Sequence, residues 1–122
     1  MGKKDILDRC FKYSLEIIKI YMELEKSNMG RIIGKQLLRA GTSVGANVNE
    51  AQSGQSRADF VSKMYIAYKE ARESSYWLRL IIESKILYSD GIKSLLCETE
   101  QLIKILASII ASTKRKAKEL VV

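Results

Sequence analysis

The sequence predicts an all-α protein, an antiparallel up-down four-helix bundle, and three observations lead there. The chain contains no proline, so nothing deletes a backbone donor inside a long helix. Apolar residues recur at alternating spacings of three and four along separate segments, as on one face of an α-helix. The 122 residues, 47% of them hydrophobic, are enough for one domain spanning 1–122 with a core that needs no metal or disulfide staple.

The first helical segment carries Leu7, Cys10, Ser14, Ile17, Tyr21 and Leu24, flanked by Phe11, Ile18 and Met22. Asp5 or Asp8 suits its positive N-terminal end, and the pattern fades at the polar run Lys26-Ser27-Asn28. The second carries Ile33, Leu37, Ala40, Val44, Val48 and Ala51, with Gly30, Gly34, Gly41 and Gly45 embedded in it. Each mid-helix glycine costs roughly 1 kcal/mol against alanine. Close approach of a neighbouring helix along the Gly34, Gly41, Gly45 side is the simplest compensation. Ser53-Gly54-Gln55-Ser56 ends this segment, with Ser56 as N-cap and Asp59 at the third position of the next. The third helix is marked by Phe60, Met64, Ala67, Ala71, Ser74, Leu78 and Ile81. Ser89-Asp90-Gly91 reads as the turn into the fourth, which runs through Ile92, Leu95, Thr99, Leu102, Leu106, Ile109 and Thr113, with Leu96, Ile103 and Ile110 beside them. Heptad-like spacing in all four implies shallow crossing angles.

Several function classes fail on residue inventory. The absence of histidine removes Ser-His-Asp and Cys-His nucleophiles, HExxH zinc helices and the Glu-x-x-His pairs of di-iron bundles. The paired glycines lack the following Gly-Lys-Ser/Thr of a phosphate loop. Cys10 and Cys97 both fall on apolar stripes and are expected as small buried side chains in a reducing compartment. Ile6 stands where a myristoylation motif after Met1-Gly2 requires Ser or Thr. There is no signal-peptide core and no apolar run of ~20 residues to span a membrane. The expectation is a cytoplasmic protein with no cofactor, no metal and no membrane association.

A polar stripe, Gln36, Arg39, Ser43, Asn47 and Glu50, runs beside the apolar face of the second segment. The third bears a matching stripe of Ile66, Glu70, Glu73, Trp77 and Leu80. Two carboxylates between such apolar neighbours call for a cation, and Arg39 with its planar fork is the natural one. If the pair is buried, removing the partners of Arg39 costs ~3 kcal/mol or more. Glu50, Glu70 and Glu73 around a metal is the enzymatic alternative; ion pairing at a helix interface suits the spacing better. Tyr65, Tyr68, Tyr76 and Trp77 give the third helix a second apolar flank, which favours an oligomer.

The formal net charge is +7, from 21 Lys and Arg against 14 Asp and Glu. Its basic residues form two groups: Lys12, Lys19 and Lys26, seven apart on the first segment, and the denser Lys114, Arg115, Lys116 and Lys118. The second group suits phosphate contacts or complements the negative end of the last helix. Neither group has the interleaved aromatics of a base-stacking surface, so the expectation is binding without a stacking platform.

The stretch from Gln36 to Gln52, QLLRAGTSVGANVNEAQ, followed by Ala58-Asp59-Phe60 and by AYKEARESSYWL over 67–78, resembles the 23S rRNA intervening-sequence protein family, also called S23 ribosomal or four helix bundle proteins. Many members have glycine where this chain has Ala51. The resemblance spans nearly the whole chain and implies a bacterial antiparallel four-helix bundle that assembles into a homopentamer. It extends to the accessory protein of diversity-generating retroelements, a basic pentamer that binds a reverse transcriptase and nucleic acid. Together these readings give a non-enzymatic oligomer contacting RNA or DNA, with or without a protein partner; the alternative is a structural adaptor that binds a protein and has no nucleic-acid affinity.

Overall fold

A computed structural model describes the backbone of residues 2–121, and the side chains of these except residues 3, 120 and 121. Met1 and Val122, the two ends of the expected domain, lie outside the described residues, and with Met1 the start of the Met-Gly opening. The described chain forms α1 (Lys3–Leu24), α2 (Asn28–Ala51), α3 (Arg57–Glu83) and α4 (Asp90–Val121).

Serine starts three of these helices. The Ser27 Oγ accepts from the Gly30 amide at 3.1 Å, Ser56 from Asp59 at 3.1 Å and Ser89 from Ile92 at 3.2 Å. Each side chain occupies an otherwise orphaned donor of a first turn, typically worth ~1 kcal/mol. The expected turn at Ser89-Asp90-Gly91 is therefore corrected: Ser89 is the cap, and Asp90 and Gly91 already belong to α4. The reversal lies earlier. Lys85 adopts φ 63°, the Lys85 amide donates to the Ile82 carbonyl and the Ile86 amide to that of Ile81. That is a Schellman closure with lysine in the left-handed position glycine usually takes.

Successive helices pack antiparallel. Gly45 lies against Cys10 and Ser14, and Gly34 against Tyr21 and Leu24, so α2 runs back along α1. Arg39 meets Glu70 and Glu73 while Glu50 meets Lys63, which reverses α3 against α2. Arg57 and Tyr65 share one depression with Thr113 and Lys118, and Tyr65 and Tyr68 share the next with Ala107 and Lys114, reversing α4 against α3. Arg9 opposite Glu98 and Ile20 beside Gly91 close the ring.

The core of α1 differs from the expected stripe. Ile6, Cys10, Tyr13, Ile17, Ile20 and Leu24 are buried, whereas Leu7, Ser14 and Tyr21 are half-buried. Both sets share Cys10, Ile17 and Leu24 and both keep helical spacing, so periodicity alone does not separate them. Tertiary contacts do. Ser14 and Tyr21 turn towards the glycines of α2, and Tyr13 reaches across to α4, where its hydroxyl lies 2.6 Å from Thr99 Oγ1. Thr99 gives its own proton to the Leu95 carbonyl, so Tyr13 is the donor. Burial raises the Tyr13 hydroxyl pKa to about 12, keeping it neutral in the centre of the bundle.

In α3, Met64, Ala67, Ala71, Ser74, Leu78 and Ile81 are buried as expected, and only Phe60 is half-exposed. At the end of the α4 stripe, Ile110 is buried and Ile109 half-buried. Cys10 is buried, but Cys97 is exposed, against expectation: it sits two residues beyond Leu95 and two before Thr99, on the opposite side of α4 from the core. No described helix is long and apolar enough to cross a membrane.

Gly41 tests the close approach of α1 and α2. A Cβ there would lie 2.5 Å from Ile17 Cδ1 and 2.7 Å from Cγ1, and Ile17 is fully buried. Gly41→Ala gains up to ~1 kcal/mol of helix propensity, yet the overlap should make it less stable by about 1–3 kcal/mol in urea denaturation. Adding Ile17→Val, which removes Cδ1, should recover part of the loss. A Gly41→Ala protein at least as stable as the parent would refute this packing.

Candidate functional site

Two adjoining depressions run along the groove between α3 and α4. The larger, about 560 Å³, is lined by Arg57, Ala58, Val61, Ser62, Tyr65, Thr113, Lys114, Ala117 and Lys118. The smaller, about 290 Å³, is lined by Tyr65, Tyr68, Ala107, Ile110, Ala111 and Lys114. Tyr65 and Lys114 belong to both, so the two adjoin along one open groove, the α3–α4 channel. Its walls follow from helical spacing: Val61, Tyr65 and Tyr68 project from one side of α3, and Ala107, Ala111, Lys114 and Lys118 from one side of α4. Among the described residues no carboxylate lines it. The other depressions differ: the α1–α4 groove holds Glu16 and Glu98, the α1–α2 groove Asp8, and the outer surface of α4 Asp90 and Glu98.

The rings in this channel are ordered by cations. Tyr65 and Tyr68 stack with centroids 5.9 Å apart and planes 29° from parallel. The Lys69 ammonium lies 5.8 Å from the Tyr65 centroid, and the Arg72 guanidinium 5.8 Å from that of Tyr68, within cation–π range. Tyr65 is 50% exposed, whereas Tyr68 packs against the core.

This corrects the expectation that the basic residues stand apart from aromatics. They are separate in sequence, but antiparallel packing of α3 on α4 brings Lys114 and Lys118 alongside Tyr65 and Tyr68. Arg115 and Lys116 are exposed on the same stretch and do not line the channel. The first basic group is not brought to this site. Lys12 lines the α1–α4 groove, Lys19 bonds Glu16 at 3.2 Å, and Lys26 is exposed beyond the end of α1.

The polar seam between α2 and α3 assembles in part. Arg39 spans both carboxylates, with Nη1 3.2 Å from Glu70 and Nη2 bonded to Glu73. The Trp77 indole N–H donates to the same Glu73 oxygen at 3.0 Å. That donor, with Arg39, holds the Glu73 carboxyl below its ordinary pKa, and Glu73 in turn raises that of Arg39. The other members turn elsewhere. Ser43 and Asn47 donate to carbonyls of their own helix, Arg39 and Ser43 respectively. Glu50 pairs with Lys63 at 3.1 Å, and Gln36 is exposed. Arg39 is 52% exposed, so the buried pair that would cost ~3 kcal/mol to break is not what forms; solvent screens it. Among the described residues no group of three potential metal ligands gathers, and Glu50 does not join Glu70 and Glu73.

The profile of the 23S rRNA-intervening sequence proteins matches residues 3–108. The chain belongs to that family. A solved structure from Bacteroides thetaiotaomicron, a protein of unknown function from the S23 ribosomal protein family, superposes with a TM-score of 0.83 at 37% identity, covering 91% of this chain and 99% of that one. No curated protein matches. Neither the family's name nor its relative's carries an enzymatic activity. The match to this family ends before Lys114 and Lys118, so the cationic wall of the channel lies beyond it.

One contact had no sequence signal. Arg9 Nε and Nη2 grip Glu98 at 2.7 and 2.8 Å, a bidentate clasp closing α1 on α4. Its members are far apart in sequence, and only the four-helix closure pairs them.

Glu73→Gln keeps an acceptor for Trp77 and deletes the charge facing Arg39. It should cost about 0.5–1 kcal/mol at pH 7, since the pair is partly solvated. Because folding lowers this pKa, the contribution is complete above the ordinary glutamate value of about 4.3 and fades as pH falls through the folded value. The stabilities of variant and parent should therefore converge below pH ~4. A gap that persists unchanged into acid would show that the charge is not its source.

Proposed function

We propose that this family member is a non-enzymatic, oligomeric, cytoplasmic nucleic-acid-binding protein that holds phosphates along the α3–α4 channel. The observation that carries the reading is the channel itself, where Arg57, Lys114 and Lys118 border an apolar floor with no opposing carboxylate among the described residues. A field of one sign in a low-dielectric cleft attracts polyanions. The formal charge of +7 acts in the same direction.

Self-association is part of the proposal. Phe11, Leu15, Ile18 and Met22 are 67, 45, 42 and 58% exposed and recur at spacings of 4, 3 and 4 on the outer side of α1. A contiguous apolar stripe of this kind favours burial against another chain. The resemblance to pentameric proteins makes a homopentamer the preferred arrangement, in which each copy repeats the channel and linked weak phosphate contacts reinforce one another. The same stripe also supports the second reading, an adaptor that docks a different protein and has no affinity for nucleic acid.

Light scattering should give a multiple of the 13.8 kDa chain, and Leu15→Glu with Ile18→Glu should return a folded species of that single mass. A parent protein that is monomeric at micromolar concentration would overturn the oligomer.

In anisotropy titrations, affinity for RNA and DNA should fall by roughly 0.7–0.9 log units per log of salt for each phosphate neutralised. Lys114→Ala with Lys118→Ala should flatten that slope more than Arg115→Ala with Lys116→Ala. Absence of binding at low salt would leave the adaptor reading.

A further inference from the structure

We infer that the α3–α4 channel is a stacking site for single-stranded nucleic acid, with Tyr65 as its platform. This rests on the phosphate-binding reading above and adds the strandedness of the ligand and the residue that selects it.

The argument starts from what phosphate contacts alone would need. A row of exposed lysines suffices for a polyanion, and no aromatic surface is required. This channel supplies more. Tyr65 is half-exposed and stacks on Tyr68 within a lining that includes four alanines, Ala58, Ala107, Ala111 and Ala117. Small side chains beside an exposed ring leave a shallow apolar shelf on which a planar base fits. Lys114 borders that shelf in both depressions, with Arg57 and Lys118 at its far end. From Ala107 to Lys118 the shelf runs about 17 Å along α4, long enough for several nucleotides. Cations tracking the backbone beside rings that meet base faces is the general arrangement for binding single strands.

Lys69 already lies over Tyr65. It is exposed on a flexible stem, so an incoming base displaces it at little cost and gains its charge near a phosphate. A duplex offers the shelf nothing, because its bases are stacked on one another and only phosphates face outward. An acidic peptide satisfies the cations but has no planar face for Tyr65. All the contacts invoked are to bases and phosphates, none to the sugar, so RNA and DNA strands are equivalent ligands.

The test compares fluorescein-labelled 12-mers of oligo(U) and oligo(dT) with a 12-base-pair RNA duplex, on the full chain at one fixed salt concentration. Both single strands should bind more tightly than the duplex. Tyr65→Ala should weaken single-strand binding roughly 5- to 150-fold per stacked base lost, Tyr65→Phe should retain it, and neither should move duplex binding. Thermal melting confirms that the variants fold, as half-exposure of Tyr65 leads one to expect. Equal binding of strand and duplex, with Tyr65→Ala silent and Lys114→Ala with Lys118→Ala weakening both, would overturn the stacking site and leave the phosphate-binding reading intact. Competition by poly-glutamate as effective as by oligo(U) would likewise reduce the channel to a general polyanion site. No binding of any nucleic acid would remove both.

Discussion

The contact between α1 and the glycine side of α2 sets the rest of the bundle. Gly41 and Gly45 let α1 approach until Ile17 fills the space a methyl would take and the Cys10 carbonyl lies 3.2 Å from where a Cβ on Gly45 would stand. That approach fixes the rotation of α1 about its own axis. Ser14 and Tyr21 face α2, Tyr13 swings inward to Thr99, and Arg9 comes level with Glu98. The same rotation turns Phe11, Leu15, Ile18 and Met22 away from the core. The exposed stripe of α1 is thus the other side of a packing decision made by glycine.

The polar groups of the interior follow the same logic of satisfied partners. Tyr13, Ser74 and Thr99 are buried, and each has a hydrogen-bond partner. Among the described residues no buried side-chain nitrogen or oxygen is left without one. An unmade bond in this setting is costly, so such a layer penalises alternative registers of the helices more than an all-aliphatic core would. Arg9–Glu98 on one side and Arg39–Glu70–Glu73 on another add surface clasps of modest energy, whose geometry nonetheless ties two of the four interfaces, α1–α4 and α2–α3, to fixed partners.

Between α3 and α4 the ties are of another kind. The interface is apolar at depth and cationic at its rim, with stacked tyrosines exposed along it. Among the described residues, the ion pairing seen elsewhere on the bundle is absent along this channel's lining. A positive groove left uncompensated on a bundle that sets Arg9 and Arg39 against carboxylates stands out as a binding surface.

The sequence by itself determined the number of helices, the cap at Ser56, most core positions of α2 to α4, and the pairing of Arg39 with Glu70 and Glu73. All of these are encoded locally, by residue spacing or by the need of a semi-buried carboxylate for a cation. It also carried the family membership, through the motif of α2 and α3. It did not determine the facing of α1, because two stripes with the same period share every seventh residue and only the neighbours choose between them. It misjudged the turn before α4, because a left-handed lysine carries no sequence mark, and it buried Cys97, which lies between core positions. Above all, the juxtaposition of Tyr65 and Tyr68 with Lys114 and Lys118 was invisible along the chain. Those residues are nearly fifty positions apart, and only antiparallel packing, which pairs the start of one helix with the end of the next, makes them walls of one channel.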